Sequence, residues 1–291
     1  MSAAGLSQGA NCAPSGGQRS GPISSGRKRG GPMTRLSVES TGHGPPLVLL
    51  HGWAMHSGIW GGIVAQLARG HRVHAVDLPG HGHSAPVTPC TLDAIVAAVD
   101  ATLADEARPL TVLGWSLGGL VAMRWAESRQ ARVNRLALVC TTPRFVAGAD
   151  WPHAMSAEAI TRFGDELHVA WKLTVQRFLA LQVHNSVHGR ATLAALREQL
   201  WARGEPSRPA LTATLDLLIA TDLRDSMARI AQPTLVIAGN RDTLTPPAAG
   251  RWLADAIAGA RFAEIAGSAH TPFLSHRDEF FALLEGFLGQ R

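Results

Sequence analysis

Short apolar runs alternate with amphipathic stretches along most of this chain. Residues 46–50, 72–76, 110–114 and 133–140 are rich in leucine and β-branched side chains and too short for stable helices, the pattern of strands buried on both faces. Between them, residues 60–68, 91–104 and 117–127 carry apolar side chains at helical spacing. Alternation of this kind predicts an α/β protein with a doubly wound, mostly parallel sheet. From about residue 145 the pattern turns helical throughout, with apolar and basic positions mixed. The alternation resumes with a strand at 233–238, another at 261–265 and a closing helix at 278–288. The expected organisation is a core built from 33–144 and 229–291, interrupted by a helical cap at 145–228.

Composition narrows the class. Of 291 residues, 46% are hydrophobic and 17% charged, enough apolar side chain for a sizeable core. No apolar run reaches the roughly 18 residues that would span a bilayer, so no membrane segment is expected. Residues 1–32 differ from the rest: they are rich in Gly, Ser and Pro and contain Arg19, Arg27, Lys28 and Arg29 without an acid. Those four cations supply most of the formal net charge of +5. The basic balance therefore describes an expected disordered tail rather than a nucleic-acid-binding face. The tail also lacks the apolar centre of a secretory signal. Cys12, Cys90 and Cys140 are scattered, without disulfide or zinc-ligand spacing, and a reducing cytoplasm is the expected compartment. The 13 histidines include no HExxH pattern, and neither a metal nor a cofactor is expected.

The chemistry starts where the run at 110–114 ends in Gly114-Trp-Ser-Leu-Gly118 and passes directly into a helix. A nucleophile elbow has this context: a strained turn lifts the serine hydroxyl to a helix N-terminus, and the flanking positions have room only for glycine. The alternative is an ordinary tight turn, so Ser116 needs partners. In this arrangement the acid and then the base follow in chain order. Asp242 stands directly after the strand at 233–238, and His270 between the last strand and the last helix. Both belong on loops at the carboxyl edge of the sheet. Asp222 is the rival acid but lies in the helical region; His276 is the rival base but approaches the last helix, where a surface or capping role fits. The backbone N–H groups of Leu117 and Trp53 are the expected oxyanion donors. His51 is expected to organise the Trp53 turn by hydrogen bonding, with His81 and His83 structural.

With these motifs in place, residues 35–290 resemble the α/β-hydrolase superfamily. A narrower resemblance, to the pimeloyl-[acyl-carrier protein] methyl ester esterases of biotin biosynthesis, rests on His51-Gly-Trp53, on Gly114-Trp-Ser-Leu-Gly-Gly119 and on the cap segment Thr174-Val-Gln-Arg-Phe-Leu-Ala-Leu-Gln182. The last is the most telling, because the catalytic machinery does not dictate it. The resemblance implies a serine carboxylesterase that removes the methyl group from a pimeloyl chain held on acyl carrier protein. It also implies substrate contacts at Trp53, Ser116, Leu117, Phe178, Leu179, Ala180, Leu181, Gln182 and His270. Phe178, Leu179 and Leu181 offer apolar surface to a slim acyl chain, with Gln182 as a polar end contact; packing of the same helix against the core is the other reading. Lys172, Arg177, Arg190 and Arg197 suit an acidic carrier, diluted by Glu198 and Glu205. Acyl carrier protein is thus the expected partner, with no nucleic acid or membrane and a monomeric state. Another serine hydrolase of a small ester, lactone or carbon–carbon bond is the nearest alternative, and a non-catalytic ligand receptor on the same fold is the more distant one.

Overall fold

In the computed structural model, which describes residues 35–289, the apolar runs become strands of one seven-stranded sheet. In chain order the strands are β1 (Val38–Thr41), β2 (Pro46–Leu50), β3 (Arg72–Val76), β4 (Leu110–Trp115), β5 (Val133–Val139), β6 (Thr234–Gly239) and β7 (Arg261–Ile265). Their spatial order is β1-β3-β2-β4-β5-β6-β7, with every pair parallel except β1 against β3. Strands β2, β4 and β6 are buried along their whole length, which explains why they read as continuous apolar runs rather than alternating ones. The tail assigned to residues 1–32 lies outside the described residues.

Helices follow the strands. They are α1 (Gly61–Leu67), α2 (Leu92–Thr102), α3 (Leu117–Ser128), α4 (Ala157–Gln182), α5 (Gly189–Leu200), α6 (Arg208–Ala220), α7 (Pro247–Ala256), α8 (Pro272–Ser275) and α9 (Arg277–Leu288). Thr91 caps α2 by accepting from the Ala94 N–H, and Ser156 caps α4 by accepting from Ala159. Helix α3 is buried on most sides, because it runs from the centre of the sheet under other elements.

The excursion between β5 and β6 contains α4, α5 and α6. It leaves and returns at one place: the Leu223 N–H donates to the Pro143 carbonyl at 3.0 Å, and Arg144 bridges Asp222. Helix α4 is kinked at Ala170, whose φ of −140° and ψ of 52° are not helical. A second attachment joins this excursion to the core. Arg203 reaches the buried Asp77, at 2.9 Å, and also pairs with Glu39. His56 accepts from the Gly58 N–H and so donates through Nε2 to the Gln199 carbonyl at 2.7 Å. The edge strand β1 has no counterpart in the expected elements. Three of its four residues are exposed, so it carries no apolar signal.

Candidate active site

Register gathers the reactive loops. Leu50 of β2 lies opposite Gly114 of β4, Trp115 opposite Val139 of β5, and Gly239 of β6 opposite Ile265 of β7. With Val139 opposite Ile237 of β6, these parallel strands end within a few residues of one another, and the segments after β2, β4, β6 and β7 emerge at one edge of the sheet. This is where open α/β sheets place ligands.

Ser116 sits between β4 and α3 with φ 54° and ψ −117°, a conformation that costs on the order of 1–3 kcal/mol in a residue with a side chain. The surrounding backbone holds it there. Its carbonyl accepts from the Gly119 N–H at 2.9 Å and from the Thr141 hydroxyl at 2.8 Å. A Cβ at Gly114 would strike the Gly118 carbonyl, and one at Gly118 would strike the Leu50 carbonyl. Leu117 then opens α3, where first-turn N–H groups have no intrahelical acceptor.

The expected acid and base meet across two loops. His270 Nδ1 and Asp242 Oδ2 are 2.8 Å apart, and both side chains are almost wholly buried. Asp242 is held firmly: Oδ1 accepts from the N–H groups of Leu244 and Thr245, at 2.9 and 3.0 Å, and Oδ2 accepts from the Thr245 hydroxyl at 2.6 Å. Burial alone would raise its pKa. The charge and hydrogen bond of His270, with the Thr245 bonds, outweigh that and hold the carboxyl below its usual value. A carboxylate there keeps the Nδ1 proton in place and leaves Nε2 free to act as a base. Thr245 was not among the expected residues; an Asp followed three positions later by Thr is the available signal.

Cys140 completes this cluster. Its Sγ, the Asp242 carboxylate and a His270 ring nitrogen lie within 4.8 Å of one another. Thiol, carboxylate and imidazole could in principle ligate a cation. Here the latter two are bonded to each other, and burial, then the Asp242 charge, drives the thiol pKa well above its ordinary value. The donor set is committed to hydrogen bonding.

His51 has the role expected of it. Its Nε2 accepts from the Leu78 N–H at 2.9 Å, which leaves Nδ1 to donate to the Gly52 carbonyl at 2.8 Å. Burial, then the neighbouring His81, lowers its pKa to about 3, so the ring is neutral. It fixes the turn that carries Trp53. Asp222 is an exposed partner of Arg224 and Arg144, far in chemistry from a triad acid. His276 lies between α8 and α9 and bonds Ser275 at 2.9 Å.

Ser116 and His270 face a narrow apolar cavity. From the core, Trp53 and Leu244 line it; Phe145 and Met155 close one side. Three pairs at i,i+3 spacing supply the rest: Ile160 and Phe163, Phe178 and Leu181, Leu215 and Leu218. Trp53 meets Phe178 edge-on at 5.0 Å and Phe163 at 5.5 Å, while its indole N–H donates to the Leu211 carbonyl at 3.0 Å.

The expected contact segment divides accordingly. Phe178 and Leu181 line the cavity. Leu179 faces the hydrophobic core, fully buried, and Ala180 faces outward. Gln182 is buried outside the lining, its amide without a hydrogen-bond partner among the described residues, and its carbonyl accepts from the His270 N–H at 3.0 Å. A helix turns about 100° per residue, so five consecutive side chains cannot share one wall. Of the expected cap cations, Lys172 pairs with Glu205 and Arg177 with Glu166, while Arg190 and Arg197 are exposed. No helix among the described residues is long and apolar enough to cross a membrane.

A family model described as alpha/beta hydrolase fold matches residues 45–277. A pimeloyl-[acyl-carrier protein] methyl ester esterase of Xanthomonas oryzae pv. oryzae (strain MAFF 311018) is 46% identical over 255 residues, 87% of this chain and 98% of its own. One from Stenotrophomonas maltophilia (strain K279a) is 43% identical over 254 residues, with 87% and 96% covered. Among solved structures, an enol-lactonase from Burkholderia xenovorans LB400 superposes with a TM-score of 0.75 at 26% identity, over 88% of this chain and 96% of its own. An esterase from Exiguobacterium antarcticum does so with a TM-score of 0.79 at 22% identity, over 88% and 96%.

Proposed function

This chain belongs to the alpha/beta hydrolase fold family and, within it, to the pimeloyl-[acyl-carrier protein] methyl ester esterases, and from that premise we propose how its residues cleave a methyl ester. Ser116 Oγ attacks the ester carbonyl carbon while His270 Nε2 takes the hydroxyl proton. The N–H groups of Leu117 and Trp53 hold the resulting oxyanion. Collapse breaks the bond to the methoxy oxygen, which leaves as methanol with the proton from His270. Water deprotonated by His270 then attacks the acyl-enzyme and releases Ser116 and the free carboxyl group. Asp242 keeps the imidazole oriented throughout.

The substrate is a methyl ester at the end of a pimeloyl chain on acyl carrier protein. One observation supports this most: Ser116 and His270 open onto a cavity otherwise lined by aromatic and aliphatic side chains. A neutral ester and its methylenes enter such a cavity at little cost, whereas a free carboxylate would lose its hydration there. Residues 145–228 act as the cap that supplies most of that lining, and the exposed Arg190 and Arg197 are available to the acidic carrier.

Turnover of pimeloyl-carrier methyl ester, set beside short p-nitrophenyl esters and lactones, tests the assignment. Wild type is expected to release methanol from the carrier-linked ester with a kcat/KM above that for the small substrates. Ser116→Ala is expected to abolish turnover of all of them and to lose fluorophosphonate labelling. Wild-type rates in Ser116→Ala would overturn the nucleophile. Preference for a lactone or short ester would replace the substrate. Rescue of a biotin-requiring strain lacking this esterase, by wild type and not by Ser116→Ala, is the cellular counterpart.

A further inference from the structure

The His270 main chain is gripped on both sides. Its N–H donates to the Gln182 carbonyl at the end of α4, and its carbonyl accepts from the Trp115 indole N–H at 2.8 Å. Trp115 is the last residue of β4, next in sequence to Ser116, and is almost fully buried. Its ring also lies against the turn after β2, where a Cβ on Gly52 would come within 3.0 Å of it. The ring centroid is 5.7 Å from the His270 imidazole and 5.0 Å from the Phe273 ring. A single rigid side chain therefore touches the base loop and the oxyanion turn while its backbone adjoins the nucleophile.

Burial alone does not account for the indole hydrogen bond. Trp60 and Trp125 are also fully buried, and their indole nitrogens have no partner among the described residues. Among the buried tryptophans of the described residues, those two leave the indole N–H lone, while Trp53 and Trp151 bond the Leu211 and Arg144 carbonyls and Trp115 alone of them bonds the backbone of His270.

We infer that Trp115 is a positioning residue that fixes His270 relative to Ser116 through the hydrogen bond from its indole N–H to the His270 carbonyl. The inference rests on the reading of His270 as the base. Asp242 fixes one end of the imidazole, but rotation about the loop would still swing Nε2 across the serine. Holding the loop carbonyl from the β4 side removes that freedom. Trp115 is not among the residues lining the cavity, so its loss acts on the proton transfer and not on substrate binding.

The test compares site-specific replacement of Trp115 by β-(3-benzothienyl)alanine, which keeps the ring shape and lacks the N–H, with Trp115→Phe and the control Trp125→Phe. The expected result is a kcat lower by about tenfold or more in both Trp115 variants, a scale set by misplacement of a reacting group. KM is expected to stay within about twofold of wild type, and Trp125→Phe to keep both constants. A benzothienyl variant with wild-type melting temperature and wild-type kcat would overturn the inference, as would a change confined to KM. Failure of the catalytic reading is separable: His270→Ala would then keep wild-type kcat, whatever Trp115 does.

Discussion

Ser116 shows how much of this site is settled within a few residues of the chain. A left-handed serine backbone, a strand before it and a helix after it leave no space beside Gly114 or Gly118, because both would press a Cβ into backbone carbonyls that cannot give way. Gly118→Ala should therefore be far more damaging than the usual exchange of glycine for alanine inside a helix, which stabilises by about 0.5–1 kcal/mol. Loss of several degrees of melting temperature together with fluorophosphonate labelling is the expected outcome, read by thermal melts and labelling; a stable, fully labelled variant would remove the packing argument. The elbow was legible in sequence because its constraints are local. Thr245 and Cys140 were not, since their importance comes from standing against Asp242, and nothing in a one-dimensional pattern marks a thiol or hydroxyl for that position.

At the scale of elements, α4 carries neighbouring residues with opposite duties. Phe178 lies against Trp53 in the cavity, and Leu179 lies in the core. Phe178→Ala is expected to lower kcat/KM for the pimeloyl substrate by roughly 10- to 100-fold, the worth of about 1.5–3 kcal/mol of aromatic contact, with the catalytic step for small esters little changed. Leu179→Ala is expected to cost about 2–5 kcal/mol of stability and to leave KM near wild type. Steady-state kinetics and denaturant melts on the two variants read both outcomes, and interchange of the two effects would contradict the assigned helix faces. The sequence displayed the segment as a block because a family pattern is linear; rotation of the helix decides which of its residues reach the cavity. The edge strand β1 escaped for a related reason, its exposed residues giving no periodicity to read.

In the whole molecule, a layer of buried neutral histidines underlies the turn that carries Trp53. The His51 and His81 rings are 5.3 Å apart, and burial lowers their pKa values to about 3 and about 4. In the unfolded chain both return to 6.5. Between pH 6.5 and about 4 the unfolded state therefore binds protons that the folded state does not, so stability rises with pH across that window and falls on acidification. By pH 5 the loss is roughly 2 kcal/mol for each ring, a large share of a typical stability of about 5–15 kcal/mol. The contribution of Asp77, whose carboxyl the His83 and Ser57 N–H groups hold at about 2 against its burial, is lost only below pH 3.8 and does not confuse the reading. Melting temperature should fall between pH 7.5 and pH 5, and His81→Gln should flatten the slope; a wild-type melting temperature independent of pH would contradict neutral buried rings. Sequence by itself determined the α/β class, the elbow at Ser116, the loops of Asp242 and His270, and the existence of a helical excursion, since strand length, turn chemistry and chain order are local properties that periodicity and motif spacing record. Tertiary structure alone decided that Thr245 braces the Asp242 carboxylate, that Trp115 and Gln182 hold the His270 backbone, and that Phe178 and Leu181, not Leu179 or Ala180, face the cavity. Those are contacts between segments distant in the chain, fixed by strand register and helix rotation, and no stretch of sequence contains them.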